Sequence, residues 1–176
     1  PFTEESFFVD RTQELDQLRK GYLRHSATPT GGYFVVGEAG IGKTRLATRF
    51  LEKLREFPEF DTPILRARAR KYRRRNFAVV TDLLVNYFGL RSEESRTQAT
   101  ARIEETEKVN AETAYSFIDM LFDIDRIQDT GRVFLVLHKL LRLILEQHRD
   151  DPYPVVIFID NAESMDRESR NFFLYL

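Results

Sequence analysis

Eight consecutive residues, Gly37-Glu38-Ala39-Gly40-Ile41-Gly42-Lys43-Thr44, constrain this chain more than any other feature in it. They fill every fixed position of the pattern G-x-x-x-x-G-K-[ST]. Before them lies Tyr33-Phe34-Val35-Val36, a short apolar run of strand formers; after them Leu46, Ala47, Phe50, Leu51 and Leu54 recur at helical spacing. Gly37, Gly40 and Gly42 let the backbone close a loop whose N–H groups point inward. The N-terminus of the following helix adds its partial positive charge at the same spot. The octet therefore predicts a phosphate-binding turn between a buried strand and a helix. Lys43 reaches the β- and γ-phosphates there, and Thr44 offers its hydroxyl to Mg²⁺. The competing reading is a glycine-rich turn without a ligand, and the flanking strand and helix weigh against it.

Around the octet, helical and strand patterns alternate. Residues 11–24 read as a helix, with Leu15, Leu18, Tyr22 and Leu23 at helical spacing. Strands are expected at 33–36, 63–69 and 155–159, the first and last apolar without interruption, as strands buried on both faces are. Helices are expected after the octet as far as Pro58, over 77–88 with Gly89 closing it, over 113–127, over 133–147, and again from Asp166, a good N-cap residue. Residues 91–112 are polar and poorly periodic, and read as an exposed helix or a mobile insertion. This alternation implies parallel strands and an α/β fold. With 176 residues, 42% of them apolar and 31% charged, the chain can bury one sizeable core and is not disordered throughout. It contains no Cys, which excludes disulfides, thiolate metal sites and a Cys nucleophile. No run of about 18 apolar residues and no signal-peptide pattern occurs, so the reading is a cytoplasmic domain with no membrane partner. The chain starts at Pro1 and stops at Leu176 inside an apolar, helix-like stretch, which reads as a piece of something longer.

Asp160 is the second chemical feature. An acid at the C-terminal end of a buried strand lies at the rim where α/β sheets bind ligands, and it can hold Mg²⁺ directly or through water. The alternative is an Asp that merely caps the next helix. Arg66, Arg68, Arg70, Lys71, Arg73, Arg74 and Arg75 place seven cations in ten residues. A solvated loop is favoured over a nucleic-acid patch, because 27 Lys+Arg against 28 Asp+Glu leave no basic excess elsewhere. His25, His138 and His148 share no ligand spacing. Asp123, Asp125 and Asp129 hint at a calcium loop, but Ile127 and Gln128 stand where a ligand and the turn glycine are required.

Taken together, the chain resembles the signal-transduction ATPases with numerous domains (STAND), relatives of the archaeal replication-initiation ATPases. Such chains open with Phe-Val-Gly-Arg and Glu-Leu; here Phe8-Val9-Asp10-Arg11 and Glu14-Leu15 stand. The family's loop is often the octet itself followed by Arg-Leu, matched by Arg45-Leu46, and its acidic strand end is matched by Asp160-Asn161-Ala162-Glu163. The resemblance implies a P-loop NTPase with a three-layer α/β/α arrangement around a parallel sheet. Residues 1–176 would be the N-terminal part of that domain, 91–130 a helical insertion within it, and the remaining strands and lid would be absent. It further implies Phe8, Val9 and Arg11 near the adenine base, Gly37, Glu38, Ala39, Gly40, Ile41, Gly42, Lys43, Thr44 and Arg45 around the nucleotide, and Thr44 and Asp160 at magnesium. Asp10 replaces the family's usual Gly. Asn161 stands where a second acid often orients the attacking water, and an amide accepts no proton at neutral pH. Lys43 and Asp160, with Glu163 as a substitute base, make up the expected catalytic set; Asp166 is a further candidate, and an exposed acid beside a helix N-terminus is the plainer reading of Glu163. The implied activity is an ATP- and Mg²⁺-dependent regulatory switch with slow hydrolysis. Its partners would be other domains of the same longer chain, or a nucleotide-driven homo-oligomer. The alternatives are a small phosphotransferase, and a nucleic-acid-binding ATPase using the basic run from Arg66 to Arg75.

Overall fold

The structure, a computed structural model, describes residues 11–24, 32–57, 63–71, 75–106, 109–123, 127 and 129–176. The chain divides into two compact units: residues 1–62 with 151–154, and residues 63–150 with 155–176.

The first unit contains α1 (Thr12–Arg24) and α2 (Lys43–Arg55). Both follow the helical spacing of their apolar residues, and Leu46, Leu51 and Leu54 form the buried stripe of α2. Tyr22 of α1 is buried, meets Phe50 of α2 edge-on at 6.2 Å, and lies alongside Tyr153 at 6.4 Å. Its hydroxyl donates to the Pro154 carbonyl at 2.8 Å, which is how residues 151–154 belong to this unit. Burial above all, and Tyr153 beside it, push the Tyr22 hydroxyl above the ordinary tyrosine range. The strand expected at 33–36 is absent: residues 32–38 carry no regular structure, and Phe34 and Val36 are 87% and 88% exposed. An apolar run becomes a strand only when a neighbour supplies ladder hydrogen bonds, and no ladder is made to it among the described residues.

The second unit holds β1 (Ile64–Arg68), α3 (Ala78–Tyr87), α4 (Arg96–Thr106), α5 (Ala111–Asp123), α6 (Thr130–Gln147), β2 (Val156–Asp160), a 3₁₀ turn (Ala162–Ser164) and α7 (Arg167–Leu174). The strands pair in parallel, from Ile64 opposite Val156 to Arg68 opposite Asp160, as the alternation of elements implies. Their period of two is visible in burial. Leu65, Ala67 and Ala69, with Ile157 and Ile159, face a core built from Val80, Leu83, Phe117, Leu137, Leu140, Leu141, Ile144 and Phe172. Arg66 and Arg68 therefore lie on the opposite face of β1. These two cations thus lie on the strand expected over 63–69, with Arg68 exposed at its end; residues 72–74 of the basic run lie outside the described residues.

The chain is accordingly a mixed α/β protein with two paired strands and seven α-helices among the described residues. Gly89 follows α3 with φ +61°, the left-handed stop that the sequence predicts. The stretch read as an exposed helix or insertion contains a docked helix. Ala99, Thr100 and Ile103 bury one side of α4, and Arg96 reaches Asp119 (2.6 Å) and Asp123 (3.1 Å) of α5. Those three small or isolated positions are too few to give the sequence a readable apolar stripe. Ahead of α4, Glu94 accepts from the Arg91 N–H at 3.1 Å and from Arg102 Nε at 2.9 Å. Asp129, weighed as a calcium ligand, instead caps α6, accepting from Gly131 N (3.0 Å) and Arg132 N (3.1 Å).

Candidate functional site

In the first unit, the octet turns directly into α2. Gly40 and Gly42 hold φ +81° and +90°, angles that side-chain-bearing residues rarely adopt, and Gly42 is the N-cap of the helix. Lys43 is the first helical residue, and Leu46 N closes the first turn on Gly42 O at 2.9 Å. The opening turn of α2 thus presents backbone N–H groups at the loop, with the positive end of the helix dipole behind them. A cation is stationed in the same place. Lys43 Nζ donates to the carbonyls of Gly37 (2.8 Å) and Glu38 (2.9 Å), bending its side chain back over the loop it follows. Across the loop Ile41 N donates to Glu38 O at 3.4 Å, and a Cβ on Gly37 would come within 3.2 Å of Ile41 Cγ2. The Arg11 guanidinium, from the residue just before α1, donates to the Ile41 carbonyl.

This unit therefore brings together Arg11, the whole octet and Arg45, with Thr44 and Arg45 exposed on the first turn. Phe8 and Val9 lie outside the described residues, as does Asp10. Expected beside the adenine, Arg11 is found on the loop backbone, a contact that the sequence does not announce because carbonyls leave no residue signature.

In the second unit, Asp160 ends β2, its side chain 13% exposed with Arg68 Nε at 3.4 Å. Its backbone carbonyl accepts from Ala69 N at 2.9 Å, continuing the ladder beyond Arg68. Asn161 follows in the left-handed region at φ 56°, a conformation Asn tolerates better than most residues, and so sends the chain into the 3₁₀ turn. Glu163, on that turn, is exposed. Asp166 is the N-cap of α7 foreseen from the sequence, accepting from Ser169 N at 2.8 Å. The same carboxylate also accepts from Phe77 N (2.9 Å) and Val79 N (3.3 Å), so it holds the backbone at the entry to α3. Ser169, which sequence reasoning missed, is fully buried and accepts from Val79 N at 3.1 Å through its hydroxyl.

A family model described as AAA ATPase domain matches residues 8–176 of the chain. No curated protein and no solved structure matches it.

Proposed function

The chain belongs to the AAA ATPase domain family, and from that premise we propose that it is the ATP- and Mg²⁺-binding part of a regulatory ATPase that switches on nucleotide binding and hydrolyses slowly. The observation that carries this reading is the loop itself: two left-handed glycines, a helix opening at once, and Lys43 drawn across it by two carbonyls. Loop N–H groups and the Lys43 ammonium together suit a chain of phosphates, because both are donors with positive charge and neither must be carried in by a partner.

The donor set also suits magnesium. Each unit offers a hard oxygen of the kind this ion takes, the Thr44 hydroxyl in the first and the Asp160 carboxylate in the second. When bound, the metal would neutralise charge on the phosphate oxygens. The Asp160 side chain is largely removed from water and already faces one cation, the Arg68 guanidinium at 3.4 Å.

Slow turnover follows from Asn161. Its amide offers an acceptor oxygen but cannot take a proton from water at neutral pH, and the nearest acid on the same turn, Glu163, is exposed. A protein that turns its nucleotide over slowly is suited to holding a shifted conformational equilibrium, provided the nucleotide binds one state better than the other. ATP affinity of the wild type and of Lys43→Ala tests the reading by titration calorimetry. Loss of the ammonium should weaken binding by about tenfold or more. Equal affinity in the two proteins would remove the proposal.

A further inference from the structure

We infer that Arg11 is a positioning residue for the phosphate loop: its guanidinium fixes the Ile41–Gly42 peptide plane and so aims the Gly42 N–H. The inference rests on the nucleotide-binding reading above, and assigns to Arg11 work on the loop in place of the base contact that resemblance implies.

The argument starts from the peptide group. No cis bond occurs among the described residues, so the C=O of Ile41 and the N–H of Gly42 lie in one plane and point in opposite directions. Whatever holds one of them sets the other. Local sterics do this only weakly, because Gly42, on one side of that peptide, carries no Cβ and sits at φ +90°. A fixed external donor is needed. Arg11 supplies it: the guanidinium donates to the Ile41 carbonyl and draws it towards the start of α1, so that the Gly42 N–H is turned the opposite way. The donor is charged, which makes the bond stronger than a neutral one. It is also anchored, since the Arg11 carbonyl accepts from Leu15 N at 3.0 Å and forms the first bond of α1. Lys43 treats the other limb of the loop in the same manner through the carbonyls of Gly37 and Glu38. Two cations thus grip the loop by its carbonyls, one on each limb.

Two measurements test this. In the ligand-free protein, the ¹⁵N–¹H signals of Ile41 and Gly42 should move or broaden in Arg11→Ala while those of α2 beyond Leu46 stay in place; an unmoved Gly42 signal overturns the inference. In titrations with ATP and with inorganic tripolyphosphate, Arg11→Ala should weaken both by the same factor, about three- to tenfold. Arg11→Lys keeps a charged donor and should regain most of both affinities. If ATP alone weakens, Arg11 contacts the base and the inference falls. A lower melting temperature without rescue by lysine would show a merely structural residue and also overturns it. Should the wild type bind neither ligand, the nucleotide-binding reading fails, a result distinct from all of these, and the inference goes with it.

Discussion

At Asp166 a single carboxylate accepts three backbone N–H groups, one from its own helix α7 and two from the entry to α3. Phe77 there sits at φ 56°, an unusual angle for a side-chain-bearing residue, so the entry depends on what holds it. Asp166→Ala should therefore cost about 2–3 kcal/mol in urea unfolding, by losing a cap and orphaning sheltered donors. Asp166→Asn, which keeps one acceptor oxygen, should fall between. Asn161 invites the converse experiment. Asp tolerates the left-handed region nearly as well as Asn, so Asn161→Asp should leave the turn intact. If the missing proton acceptor limits hydrolysis, ATP turnover should rise by about tenfold or more, read as released phosphate; unchanged turnover would place the limit elsewhere. The capping of α7 by Asp166 could be read from its position before a helix. Its grip on Phe77, 89 residues earlier, could not, because a cap signature is local.

Among the elements, α4 carries little apolar surface yet has a definite seat. Ile103 is fully buried, and Ile103→Ala should cost about 2–4 kcal/mol and release the helix first, visible as lost amide protection over Arg96–Thr106. The start of the helix should also respond to acid. The Arg91 N–H first, and Arg102 next, hold the Glu94 carboxyl below the usual 4.5. A carboxyl with a lowered folded pKa stabilises at pH above its unfolded value, and that support is lost as pH falls through the folded one. Protection of α4 should thus drop on acidification below about pH 4.5, and Glu94→Gln should abolish that dependence. Periodicity located α1, α2, α3, α6 and both strands because each has a stripe or an alternation to read. It failed for 33–36, where composition was right and a pairing partner was required as well, a condition that no five-residue window contains.

For the molecule as a whole, most buried apolar residues belong to the second unit, while the phosphate loop belongs to the first. Ligand binding should consequently be felt where the contacts are. ATP at a hundred times its dissociation constant should add about 2.7 kcal/mol of stability. Hydrogen exchange should place the earliest protection in residues 37–46; protection confined to residues 63–150 would contradict the loop as the binding site. The division of the chain also dictates an order of events during synthesis. Tyr22 waits for Pro154, 132 residues later, and α3 waits for Asp166. β1, too, has no ladder until β2 has been made. Contacts so distant in sequence close slowly, since much loop entropy is spent before they form. Neither unit therefore has its full set of contacts until the ribosome has delivered the stretch from Asp151 onward, and a nascent chain halted at residue 150 would carry the complete octet without the carbonyl that Tyr22 bonds or the strand that β1 pairs with.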